Sequence, residues 1–142
     1  ILVNPCFDVY PTICCPVGSG TTLAGLQSSL RPHQQLLGFS ALKNAIRLEE
    51  EIRAQLTNDI DVEKNANWKL IHDYPFGGFG KTTSALFQFM EEFKTKTNIA
   101  LDKVYTAKMM FGIADLLSKN TFARGAKILV IHTGGLQGNL LG

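Results

Sequence analysis

The sequence predicts an α/β fold in which a parallel sheet is flanked by helices in three layers. Three observations point there. Short apolar runs alternate along the chain with stretches of helical period. Two of those runs lead through glycine-rich turns into a helical stretch, the order in which parallel strands are connected. The run Lys127-Ile128-Leu129-Val130-Ile131-His132 is too continuously apolar for a one-sided sheet, which implies a strand buried on both faces.

Taken in order, Ile1-Leu2-Val3 is an apolar opening, and Thr12-Ile13-Cys14-Cys15-Pro16-Val17 is a strand ended by Gly18-Ser19-Gly20. Helical character follows from Thr21 to Leu30, and Arg31-Pro32 closes it, because the residue before a proline is pushed out of the helical region. Gln35-Leu36-Leu37-Gly38-Phe39 is a second buried strand. Ile46 to Leu56 is an amphipathic helix, with Ile46, Leu48, Ile52 and Leu56 set among Glu49, Glu50, Glu51 and Arg53. The polar stretch Thr57 to Asn67 breaks the pattern and is expected to be a surface connection. Trp68-Lys69-Leu70-Ile71-His72 is a third strand, followed by the loop Pro75-Phe76-Gly77-Gly78-Phe79-Gly80. A long helix is expected from Thr82 to Thr95, with Leu86, Phe89, Met90 and Phe93 on one face, and another from Thr106 to Lys119. The apolar run from Lys127 ends at Thr133-Gly134-Gly135.

At 142 residues the chain suits one domain with a real core. The 14 Lys and Arg against 12 Asp and Glu leave a formal charge of +2, too small and dispersed for a nucleic-acid surface. No apolar stretch reaches the length of a membrane helix, and no basic signal region opens the chain, so a cytoplasmic protein is expected. Of the three cysteines, Cys14 and Cys15 are adjacent in a strand and should point to opposite faces as packing residues. No Cys/His spacing resembles a zinc set, and no metal is expected. Residue 1 is Ile rather than Met, which leaves open a fragment, a processed chain or a partial reading frame.

Ligands of parallel sheets sit beyond the carboxyl ends of the strands. Gly18-Ser19-Gly20-Thr21-Thr22 occupies such an end. Its glycines let backbone N–H groups approach an anion, its hydroxyls add donors, and the following helix adds its dipole. A phosphate suits this turn; a tight strand-to-helix turn with no ligand stays open beside it. The dinucleotide fingerprint is excluded, since Leu23 stands at its third glycine. Gly80-Lys81-Thr82 imitates a nucleotide-triphosphate loop, yet Pro75 replaces that motif's first glycine, so Lys81 is expected to be a solvated lysine in the first turn of a helix. His132 at a strand end is expected to bond neighbouring backbone, whereas the Thr133 hydroxyl beside it can face a ligand ring.

Together these segments resemble the 1-aminocyclopropane-1-carboxylate deaminase / D-cysteine desulfhydrase family. Pro16 to Leu26 is similar to its phosphate-cradling loop and helix, and Val104-Tyr105-Thr106-Ala107-Lys108 to its Val-Tyr-Thr-Gly-Lys segment. Ile128 to Gly135 is similar to its Ile-His-Thr-Gly-Gly strand and turn, and Phe79-Gly80 matches a loop that usually reads Gly-Tyr-Gly. Four matches in order, over essentially the whole chain, are specific.

The resemblance implies a tryptophan synthase β-like, fold type II architecture holding pyridoxal 5′-phosphate, with residues 1–142 forming the C-terminal half of the large cofactor-binding domain and the N-terminal half and small domain absent. Gly18, Ser19, Gly20, Thr21 and Thr22 would hold the phosphate, Thr133 and Gly134 would face the pyridine side, Tyr105 would be the catalytic phenol, and Phe79 and Gly80 would form a substrate-side loop. The implied activity is that of a deaminase or desulfhydrase, a lyase or hydrolase in class, releasing ammonia and a 2-oxo acid from a small amino acid, in a homodimer when full length. Departures are Ala107 for a glycine, Lys103 and Ala123 for prolines, and Phe79 for a tyrosine. Leu129, Val130 and Ile131 carry no phenol where deaminases have a tyrosine, which favours D-cysteine over 1-aminocyclopropane-1-carboxylate. The family's Schiff-base lysine lies upstream of the matched region, and none of Lys43, Lys64, Lys69, Lys81, Lys94, Lys96, Lys103, Lys108, Lys119 or Lys127 has its context, so the chain alone is expected to be inactive. The competing readings are a non-catalytic phosphate- or nucleotide-binding α/β module, and a folding remnant with exposed surface.

Overall fold

The computed structural model describes residues 5–43, 45–56 and 67–140; the expected opening Ile1-Leu2-Val3 and residues 57–66 of the expected surface connection lie outside them. A short 3-10 helix, Pro5–Val9, precedes β1 (Thr12–Val17), α1 (Thr21–Gln27), β2 (Gln35–Ser40), α2 (Ile46–Leu56), β3 (Trp68–Ile71), α3 (Ser84–Thr97), α4 (Thr106–Ser118) and β4 (Ile128–Val130), and a final 3-10 turn covers Leu136–Asn139. The four strands form one parallel sheet in the order β3-β2-β1-β4.

Alternation along β1 builds two cores from one strand. Ile13, Cys15 and Val17 face a cluster with Leu23 and Leu26 of α1 and Leu48, Ile52 and Leu56 of α2, while Cys14 faces Met109 and Ile113 of α4. Helices therefore cover both faces, and the adjacent cysteines point apart as a strand requires. α3 packs on α4 through Leu86, Phe89, Met90 and Phe93, the face expected from its spacing, in a third cluster with Leu101 and Ala107. No helix among the described residues is long and apolar enough to cross a membrane.

Several expected elements shift. α1 ends at Gln27 rather than Leu30, because Ser28 Oγ takes the Gly25 carbonyl at 2.8 Å and Ser29 and Leu30 close three-residue turns onto Leu26 and Gln27. Ile46 is 72% exposed despite belonging to the expected apolar face; it lies two positions before Leu48, on the opposite side of the helix. α3 begins two residues late. Thr83 adopts an extended backbone and its hydroxyl accepts from Leu86 N–H at 3.2 Å, so it caps the helix that Thr82 was expected to start.

β4 has apolar packing on both faces, as its continuous apolar run implies, yet it is only three residues long and half-buried, and among the described residues it stands at the sheet edge, paired with β1. Its side chains do address both cores, Ile128 and Val130 one and Leu129 the other, but an edge strand has a neighbour on one side only, and apolar composition does not reveal sheet position.

Two glycines set how closely the layers approach. A Cβ on Gly38, in the middle of β2, would lie 2.2 Å from Leu23 and 2.7 Å from Val17; one on Gly112 of α4 would lie 2.7 Å from Tyr74 and 2.8 Å from Phe39. Gly38→Ala should therefore lower stability by about 1–3 kcal/mol through overpacking, read as a drop in the urea midpoint without a change in slope.

Burial pushes the Cys14 and Cys15 thiols from their ordinary 9.0 up to about 12. The folded chain thus keeps two protons that the unfolded chain releases above about pH 9, so this contribution to stability is constant below pH 9 and declines as pH rises from 9 towards 12. A Cys14→Ala/Cys15→Ala chain should show a shallower alkaline decline than the native chain in denaturant titrations. Native Cys14 and Cys15 should resist iodoacetamide at pH 8 until denaturant is added, and rapid native alkylation would contradict this burial.

Candidate functional site

β1 and β4 are parallel neighbours, so the segments that leave their carboxyl ends lie side by side. The pairing runs past β4, with Ile131 N–H donating to Cys14 O at 2.9 Å, and brings Thr133 towards the end of β1. Between them opens a cleft of about 210 Å³ lined by Pro16, Gly18, Ser19, Thr22, Tyr105 and Thr133. Residues expected from three separate stretches of sequence thus share one wall-to-wall space.

Each wall has a local cause. The loop after β1 folds over a small recess lined by the residues from Pro16 to Leu23. Gly20 turns it in a left-handed conformation, φ 89°, and a Cβ there would sit 2.4 Å from Ile52 of α2, so neither backbone nor packing admits another residue. The N-terminus of α1 carries no side-chain cap, which leaves first-turn N–H groups without intrahelical partners, while Ser19 Oγ and Thr21 Oγ1 bond each other at 3.1 Å. At seven residues α1 is shorter than expected, so an anion placed here would meet the loop's N–H and hydroxyl groups more than a helix dipole.

Tyr105 stands at the start of α4 with its ring laid on Gly18. A Cβ on Gly18 would come within 3.0 Å of Tyr105 Cε1 and 3.2 Å of its hydroxyl. Gly18 is therefore needed for the approach of the phenol. Tyr105 also meets the Phe79 ring edge-on, centroids 5.9 Å apart at 65°. Phe79 is 58% exposed and reaches the cleft only indirectly, through this contact with Tyr105.

A residue that the sequence reading did not single out organises the site. Asp102, 1% exposed, accepts from Val104 N–H at 3.0 Å, Tyr105 N–H at 2.7 Å, Thr106 N–H at 2.9 Å and Thr106 Oγ1 at 2.6 Å. Thr106 Oγ1 in turn accepts from Asp102 N–H at 2.9 Å, a reciprocal cap on α4. The signal was present as an acidic residue just ahead of an expected helix. Gly135, φ 83°, lies against the same carboxylate, where a Cβ would be 3.3 Å from Asp102 Cγ.

His132 binds backbone, as expected of a strand-end histidine. Gly134 N–H donates to its Nδ1 at 3.0 Å, which places the ring proton on Nε2, and Nε2 donates to Ala100 O at 2.8 Å. Asn139 adds a bond to Leu101 O at 3.0 Å and accepts from Lys103 N–H at 2.9 Å. The turn bearing Thr133 and the segment bearing Tyr105 are thereby joined.

Not every expected residue lines the cleft. Gly20 and Thr21 face the smaller recess, and Phe79, Gly80 and Gly134 border neither space; both of these glycines are left-handed with nothing near a Cβ position. Lys81 is exposed but lies before α3, outside its first turn.

No family model matches the chain. The chain is 36% identical over 136 residues to a provisionally named 1-aminocyclopropane-1-carboxylate deaminase of Pyrococcus furiosus, covering 91% of this chain and 40% of that protein. It is 35% identical over 142 residues to a Pyrococcus horikoshii protein of the same name, and 30% identical over 146 residues to the D-cysteine desulfhydrase of Salmonella typhi, of which it covers 43%. A crystal structure described as that of an ACC deaminase homologue superposes with a TM-score of 0.78 at 31% identity, over 92% of this chain and 41% of the other. The chain thus spans less than half the length of the curated relatives it matches, and within that span it is a homologue of the 1-aminocyclopropane-1-carboxylate deaminase / D-cysteine desulfhydrase family.

Proposed function

We propose that the cleft is the pyridoxal 5′-phosphate subsite of a deaminase or desulfhydrase acting on a small amino acid, completed in the whole protein by polypeptide that carries the cofactor-bearing lysine. The observation that carries this reading is the convergence of the Gly18–Thr22 loop, Tyr105 and Thr133 on one space. A plain phosphate-binding module needs the loop alone; it has no use for a phenol and a hydroxyl on the facing walls.

The residues present fit the group. Gly18 lets the Tyr105 phenol close on the cleft wall, Ser19 and Thr22 bring hydroxyls to it, and Thr133 brings another from the β4 side. When bound, the cofactor draws electron density from the amino acid's α-carbon, so that a proton there becomes removable. Thr133 would offer the cofactor ring a hydroxyl rather than a carboxylate, which would leave its nitrogen largely unprotonated and moderate that pull. Tyr105, fixed between Gly18 and Phe79, is a phenol positioned to donate or accept a proton in the cleft. D-cysteine is the preferred substrate over 1-aminocyclopropane-1-carboxylate, because Leu129, Val130 and Ile131 offer no second phenol beside Thr133.

Thermal stabilisation of the 142-residue chain by pyridoxal 5′-phosphate and by inorganic phosphate, with none from ATP, is the expected outcome; at a hundredfold excess over Kd the gain is about 2.7 kcal/mol. Stabilisation by ATP with none from pyridoxal 5′-phosphate would favour the nucleotide module instead. Gly18→Val should weaken pyridoxal 5′-phosphate about tenfold or more, by closing the wall and displacing Tyr105, whereas Tyr105→Phe should leave phosphate binding within about twofold. Borohydride reduction should label no single lysine stoichiometrically, and D-cysteine should yield no pyruvate with the chain alone; either result reversed would refute the assignment of the lysine to other polypeptide.

A further inference from the structure

The loop from Pro75 to Gly80 has little regular structure to hold it. Phe76 (φ 48°), Gly77 (93°), Gly78 (115°) and Gly80 (67°) all take left-handed backbone, which is costly for Phe76 in particular. Its support lies underneath. Lys108 of α4 is 2% exposed, and its Nζ donates to Pro75 O at 2.8 Å and Gly78 O at 2.7 Å. The same carbonyls accept Gly78 N–H at 2.9 Å and Lys81 N–H at 3.1 Å, so the loop winds as two turns around one ammonium.

A buried ammonium persists only where its protons are paired, and bonds from a charged donor are stronger than neutral ones. Burial holds the Lys108 pKa below its ordinary value, while the Asp102 carboxylate acts in the opposite sense. Lys108 follows Tyr105 by three residues on α4, so the two lie on one face of the helix. One supports the loop from below; the other receives its tip, the Phe79 ring.

We propose that Lys108 is a positioning residue for the cleft, its ammonium fixing the Pro75–Gly80 loop through two carbonyls and thereby seating Phe79 against Tyr105. The consequence for ligand affinity rests on the cofactor reading above, but the loop's support does not.

The first link is read in the native chain by NMR with ¹⁵N-labelled lysine. The Lys108 Nζ protons should exchange slowly with water; an ammonium exchanging as fast as that of exposed Lys81 would overturn the proposal. The second link is read from NOEs between the Phe79 and Tyr105 rings, which should be present in the native chain and lost in Lys108→Met while contacts between Leu86 and Ala107 persist. Retained ring NOEs in that variant would also overturn it. As a third reading, Lys108→Met should weaken pyridoxal 5′-phosphate about tenfold in the native background and less than about twofold in Phe79→Ala, since the effect passes through that ring. Equal losses in both backgrounds would show that Lys108 does not act through Phe79. A native chain that binds no pyridoxal 5′-phosphate refutes the cofactor reading, and the NMR results still decide the role of Lys108.

Discussion

The cleft depends on one buried carboxylate. Asp102 gathers three consecutive N–H groups and a hydroxyl at the entrance to α4, and in doing so sets where Tyr105 stands ahead of the helix. The glycine turn after β4 rests on the same carboxylate, so the phenol wall and the Thr133 wall share a foundation. Such a group is favourable only because its oxygens are satisfied; buried without those donors it would favour the unfolded chain.

Around that foundation, missing side chains matter as much as present ones. Gly18 admits the Tyr105 ring, Gly20 admits Ile52, Gly38 admits Leu23 and Val17, and Gly112 admits Tyr74 and Phe39. Each is a point where two layers approach more closely than a Cβ allows. The site is thus a product of helix-to-sheet spacing: α2 presses on the loop through Gly20, and α4 through Gly18.

Much of this was legible beforehand because secondary structure is written in local periods. α2 follows its expected bounds, β1 and β2 theirs within a residue, and the alternation of Cys14 and Cys15 between two cores follows from a period of two. The phosphate-type loop and Thr133 were visible as residues suited to a ligand, and Tyr105 only through the family resemblance. Asp102 and Lys108 were less visible, since an acid ahead of a helix and a lysine within one are ordinary on a surface, and only burial makes them exceptional.

By itself, then, the sequence determined the alternation of strands and helices, the two-sided apolar strands and the chemical types available at three turns, because these depend on neighbours along the chain. Tertiary structure decided that β4 is an edge, that α1 stops at Gln27, that Gly18 faces Tyr105, and that a carboxylate and an ammonium are enclosed beneath the cleft. Those outcomes depend on which surfaces meet across tens of residues, and a contact of that kind leaves no period in the chain.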